Sequence, residues 1–188
     1  MMDKTRLKLM GISEIVGVDD IALLGLIDEA HQRQIIVTCD KSMRGQIQRY
    51  MMNKQELNKC LPKVMGDVLS SMGLVNMEVH LLSIHDGEYE TELVDTISER
   101  HFPIRCSDGI LFAIANDYPI YASLSLMLAQ SVPFKVGETK IGLPLSVLSE
   151  NMLQMSLKKA IETENFEMAS NLRDELKKRH SQNEQKSE

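Results

Sequence analysis

Arg105, Ser107 and Asp108 fall within four consecutive positions, directly ahead of the apolar run Ile110-Leu111-Phe112-Ala113-Ile114-Ala115. A guanidinium can grip two oxygens of a phosphate at once. A serine hydroxyl can donate to a third oxygen, and a carboxylate can orient a water or take a share of a divalent cation. If the apolar run is helical, its N-terminus adds unpaired N–H groups and the positive end of a dipole, a natural anion site. Cleavage of a phosphodiester needs a positioned water and stabilisation of a developing anionic oxygen. A second carboxylate, Asp67, supplies a further oxygen ligand if the fold brings it to Asp108. A divalent cation such as Mg is the cofactor that such a pair would take. The same residues also suit a purely structural task. Ser-Asp at a helix start is what N-capping asks for, and Arg105 paired with Asp108 would lock a strand to the helix.

Charge decides how such a site could meet a polyanion. The 188 residues carry 21 Lys+Arg against 27 Asp+Glu, a formal net charge of −6, which disfavours tight non-specific binding to nucleic acid. The charges are segregated, however. Lys41 to Lys63 is +5, and Asn76 to Glu99 is −7 with neither Lys nor Arg. Lys41, Arg44, Arg49 and Lys54 are therefore the candidates for phosphate contacts, weak and salt-sensitive; an ordinary solvated helix face is the competing reading. Complementary patches could also pair subunits, so a homo-oligomer is expected. Glu88, Glu90 and Glu92 alternate along one strand face and could hold a hard cation, or form the wet side of an antiparallel sheet. His80 and His85 flank the preceding strand.

Periodicity outlines the elements that must position these groups. Leu7–Val16, Asp20–Asp28 and Arg33–Thr38 read as three strands of an antiparallel meander, with a turn near Gly17. Met43, Ile47, Tyr50 and Met51 keep helical spacing, capped by Asp40 or Ser42. A second helix follows Pro62, with Val64, Val68, Leu69 and Met72 on its apolar face and Gly73 at its end. Asp86-Gly87 marks a hairpin turn, and a short strand covers Phe102–Arg105. Ser107 is the expected N-cap of the next helix. Pro119–Ala122 reads as a strand, followed by a helix from about Ser123. Residues 131–145 read as a connector, and the polar stretch Ser181–Glu188 as a disordered tail.

Several classes drop out. With no Trp and only four Tyr and four Phe, a broad base-stacking platform is not expected. The motifs of dinucleotide enzymes, P-loop nucleotidases, serine hydrolases of the nucleophile-elbow type and zincins are missing. Cys39, Cys60 and Cys106 are too widely spaced for a zinc knuckle or redox pair. Neither a signal peptide nor a membrane span is legible, so a reduced, cytoplasmic setting without membrane attachment is expected.

Two segments resemble known families. The string from Leu157 to Leu176, LKKAIETENFEMASNLRDEL, closely resembles the UVR motif shared by the B and C subunits of the bacterial excision nuclease and by several stress-response proteins. That resemblance implies a helical hairpin for protein–protein contact, with Phe166, Ala169, Leu172 and Arg173 as its contact residues. The stretch from Phe102 to Ser123 resembles the signature of the bifunctional nuclease family, whose members are proposed to cleave DNA and RNA. Arg105, Ser107 and Asp108 match; Cys106 stands where that family has Pro, Gly109 where it has Ala, and Gly66 where a His is often found. Together the resemblances imply an α+β fold: an antiparallel or mixed sheet with packed helices, plus a C-terminal α-helical hairpin. The implied organisation is a nuclease-like domain over 1–143, the hairpin over 144–180 and a tail over 181–188. The catalytic set would be Arg105, Ser107, Asp108 and Asp67. The alternative is a non-catalytic oligomeric adaptor that recruits a repair or stress-response partner through the hairpin.

Overall fold

The computed structural model describes residues 3–15, 18–53, 58–134 and 145–185. The expected turn at Gly17, and Lys54, lie outside them. The fold is α+β, built on one mixed sheet of eight strands. These are β1 (Lys4–Ile15), β2 (Val18–Asp28), β3 (Arg33–Asp40), β4 (Met77–His85), β5 (Glu88–Asp95), β6 (Arg100–Pro103), β7 (Ile120–Ser123) and β8 (Val132–Pro133). Their order is β6-β5-β4-β7-β1-β2-β3-β8. All neighbours are antiparallel except β4 and β7. The meander β1-β2-β3 forms as periodicity predicts. The β4–β5 turn places Asp86 and Gly87 at φ 50° and 80°, the left-handed pair that a two-residue hairpin needs.

The helices are α1 (Lys41–Met52), α2 (Leu61–Ser71), α3 (Cys106–Asn116), α4 (Leu124–Gln130), α5 (Glu150–Glu162) and α6 (Phe166–Gln185), with a 3-10 turn at Leu145–Val147. α3 is the centre of the molecule. Cys106, Gly109, Ile110, Leu111, Phe112, Ala113 and Ala115 are all buried, so beyond its first turn the helix is apolar almost all round. The sheet curls about it. The Tyr89 hydroxyl of β5 donates to the Ile36 carbonyl of β3 at 2.9 Å, although four strands separate β5 from β3 in the sheet order. At Gly109 a β-carbon would stand 3.1 Å from Val79 Cγ1, so glycine lets α3 lie directly on β4. α3 ends where Asp117 turns left-handed at φ 58°.

The run Ile35-Ile36-Val37 has no polar alternation because β3 is covered on both faces. Ile35 and Val37 face the helices with Met43, Ile47 and Ile110. Ile36 packs with Leu23 against Val147 of the 3-10 turn. The C-terminal hairpin α5–α6 has its own small core of Leu148, Leu153, Ala160, Ala169 and Leu172. It is seated on the sheet through its entry: Gly87 lies so close to the Leu148–Ser149 backbone that a β-carbon there would stand 2.5 Å away. Buried Arg179 of α6 donates to the carbonyls of Leu148 (2.6 Å) and Leu145 (3.0 Å).

Three local expectations need correction. Ser107 does not cap α3; the N-cap position is Arg105, which makes no side-chain cap bond. Of the expected tail Ser181–Glu188, the first five residues continue α6 to Gln185, and 186–188 lie outside the described residues. The stripe Val64, Val68 and Met72 on α2 faces outward, and Gly66 is the buried residue of that helix.

Candidate functional site: the paired starts of α1 and α3

Asp40, the last residue of β3, caps α1 by accepting the Met43 N–H at 2.8 Å. The start of α3 lies within electrostatic reach of Asp40, whose charge adds to the larger effect of Asp108 on the Arg105 guanidinium. The far ends of both helices, Tyr50–Met52 and Ala113–Ile114, line one common groove. With their starts on the Asp40–Arg105 side and their far ends on the groove, α1 and α3 turn their positive dipole ends to the same side of the molecule. Lys41 and Arg44 stand in the first turn of α1, and Ser107 and Asp108 in the first turn of α3.

The Arg105 guanidinium bonds Asp108 with both arms, Nε to Oδ2 at 2.6 Å and Nη2 to Oδ1 at 3.2 Å. Its pKa is raised by the Asp108 hydrogen bond first, and then by the Asp108 charge, so the guanidinium stays fully charged. The pair is accessible, with the Arg105 side chain 69% exposed. Since no side chain caps α3, the first-turn N–H groups are left for solvent or an anion. Cys106 beneath them is inert: burial pushes its thiol up to about 12.

Asp67 is elsewhere. It forms an i,i+4 ion pair with Lys63 at 2.7 Å, and its charge is felt at Tyr118, just past the C-terminal end of α3. Asp108 sits at the opposite end, separated by about 12 Å of helix rise. A cation shared by Asp67 and Asp108 does not fit this geometry. Among the described residues there is no group of three His, Cys, Asp or Glu placed to hold a metal ion. Arg49 lies further along α1, with Nε donating to the Gly45 carbonyl at 3.1 Å.

No protein-family model matches this chain, and no curated protein matches it significantly. Nor is any helix among the described residues long and apolar enough to cross a membrane.

In the hairpin, Ala169 and Leu172 are buried in the α5–α6 core, which leaves Phe166, 69% exposed, and Arg173 as the outward members of the expected contact set. Two features had no local sequence signal. One is the groove at the far ends of α1 and α3, of about 1000 Å³, lined by Arg6, Lys8, Asp28, Glu29 and Tyr118 among others. The other is a cluster on the outer sheet face. Lys4 is ion-paired with Glu78, the His80 Nε2 lies 2.6 Å from Glu78 Oε2, and the Lys4 ammonium stands 4.0 Å over the Tyr121 ring. Alternation alone places Glu78 and His80 on one face; pairing of β1 and β4 with β7 brings in the rest.

Proposed function

We propose that the chain hydrolyses phosphodiester bonds of DNA or RNA at the joint start of α1 and α3, and that its C-terminal hairpin serves contact with another protein. The reading rests on Arg105 and Asp108, bound to each other at the uncapped start of α3 beside the start of α1. A phosphate there would accept from first-turn N–H groups and from the Arg105 arms that Asp108 does not use. Lys41 and Arg44 would hold the flanking backbone. Asp108, already aligned by the guanidinium, would orient the attacking water. The carboxylates on offer to a divalent cation here, Asp108 and Asp40, are already engaged, the first by Arg105 and the second by the Met43 N–H at the start of α1.

The adaptor reading has its own support. Asp108 is fully engaged by Arg105, which is what a strand-to-helix lock requires. One experiment separates the two. Purified full-length protein is incubated with plasmid DNA and with single-stranded RNA, in magnesium, in manganese and in chelator, beside Asp108→Ala. Cleavage reduced by about 100-fold or more in the variant is expected for a group that handles the water. Equal cleavage by both removes Asp108 from the chemistry. No cleavage under any condition discards the enzyme reading in favour of the adaptor.

A further inference from the structure

α2 is oriented against the usual rule for an amphipathic helix. Its inner face is narrow: Pro62, Gly66 and Leu69 meet α3, where Asn116 Nδ2 donates to the Pro62 carbonyl at 2.9 Å. Its outer face carries Leu61, Val64, Met65, Val68 and Met72, with Leu61 76%, Met65 50%, Val68 51% and Met72 69% exposed. The spacing is i, i+3/i+4, i+7 and i+11, that of a helix–helix seam. Past the C-terminal end of α2, exposed Val75 leads toward exposed Ile97 through the Thr96 N–H to Asn76 carbonyl bond.

We propose that this face is the contact between two copies of the chain, the α2 helices packing antiparallel across a two-fold axis. The exposed side chains leave several hundred Å² of apolar surface in one place, the size of the largest patch that a monomer ordinarily keeps in water, which is often a functional one. That approaches the roughly 800 Å² that each partner contributes to a standard interface. The stripe is also self-complementary. Its midpoint falls between Gly66 and Asp67, so in an antiparallel pair Leu61 meets the second Met72, and Met65 meets the second Val68. The flanking charges, Lys63 and Asp67, are already paired within the helix at 2.7 Å, so two copies approach without net repulsion along the seam. The other sizeable set of exposed apolar residues, Met155, Ile161, Phe166 and Met168, is divided between two helices and offers no straight stripe of equal length.

The test is a charge swap read by sedimentation equilibrium on the full chain. The wild type is expected as a dimer. Met65→Glu/Val68→Glu and Met65→Lys/Val68→Lys are each expected at half that mass, with unchanged far-UV circular dichroism because both positions are solvent-facing in the single chain. Mixed, the two variants are expected to restore the dimer as a heterodimer, since position 65 of one chain faces position 68 of the other. The milder Val68→Ser is measured beside them and is expected to weaken the wild-type dimer at least tenfold. A monomeric wild type, a dimer that survives both charge variants and Val68→Ser, or failure of the mixture to re-associate would each overturn the two-fold α2 contact. The last result, with an intact wild-type oligomer, would point to a head-to-tail arrangement instead.

Discussion

The Asn116 Oδ1 atom occupies the place where Gly66 would carry a side chain: a β-carbon built on Gly66 stands 1.9 Å from it. The amide is held there by two bonds from Nδ2, to the carbonyls of Pro62 (2.9 Å) and Phe112 (3.0 Å). Its oxygen has no hydrogen-bond partner among the described residues, which fits an oxygen turned onto the bare glycine backbone. The missing side chain at 66 is thus the condition for α2 to lie on the end of α3.

Gly66→Ala is expected to destabilise the fold by about 2 kcal/mol, because the added methyl expels an amide that is tied on both sides. Helix propensity alone predicts the opposite sign, a gain of about 1 kcal/mol. Urea denaturation of Gly66→Ala, Asn116→Ala and the double variant decides between them. Strong coupling is expected, with the alanine at 66 costing far less once Asn116 is gone. A stabilised single variant would show that the contact relaxes freely.

Arg179→Leu is expected to cost about 3 kcal/mol and to loosen the seat of the hairpin. The change strands the carbonyls of Leu145 and Leu148 and leaves Glu175, at 3.2 Å, without its buried cation. Hydrogen exchange is the readout. Amides of α6 and of Leu148 should exchange much faster while those of β2 and β3 hold; unchanged protection in α6 would dismiss the role.

Acid should weaken the fold through Glu78. Burial pushes its pKa up, but hydrogen bonds from Lys4 and His80 outweigh that and hold it below the ordinary carboxylate range. A carboxyl with a folded pKa below its unfolded value, about 4.3, stabilises fully above that value and loses the contribution as pH falls through the folded pKa. Glu78→Gln should therefore flatten the acid limb of stability against pH. A limb of unchanged slope would assign the effect to other groups.

Thiol chemistry should single out Cys60. Burial pushes Cys39 up to about 11 and Cys106 up to about 12, so neither presents a thiolate near neutral pH, whereas Cys60 is only half-buried at the start of α2. A disulfide reagent added to the folded protein should consume one thiol quickly and the other two only on unfolding. Rapid loss of all three would mean that β3 and α3 open readily.

Much of this scaffold is written in local patterns. The Ile35-Ile36-Val37 run, the Asp86-Gly87 turn and the Asp40 cap each identify their element because the physics involved spans a few residues. The orientation of α2 is not so written: a stripe at helical spacing announces a contact without saying whether its partner lies in the same chain. The separation of Asp67 from Asp108 is likewise set by how α2 crosses α3. The length of α6 could not be read from its polar composition, because what holds its last turns is distant: Arg179 reaches back to Leu145 and Leu148, and His180 to Glu150 at 3.1 Å. At the candidate site, Arg105, Ser107 and Asp108 are legible as neighbours, but the convergence of a second helix start beside them is a product of the curled sheet.

The seat of the hairpin has a consequence for the order of events during synthesis. The β4–β5 turn at Gly87 and the hollow between Leu23 and Ile36 belong to one sheet only once β7 (Ile120–Ser123) joins β4 to β1, about 24 residues before Val147 and Leu148 arrive to fill them. Chain elongation proceeds at roughly 5–20 residues per second. The nascent sheet therefore spends roughly one to five seconds with one apolar face open, until Val147 and Leu148 are made and close it.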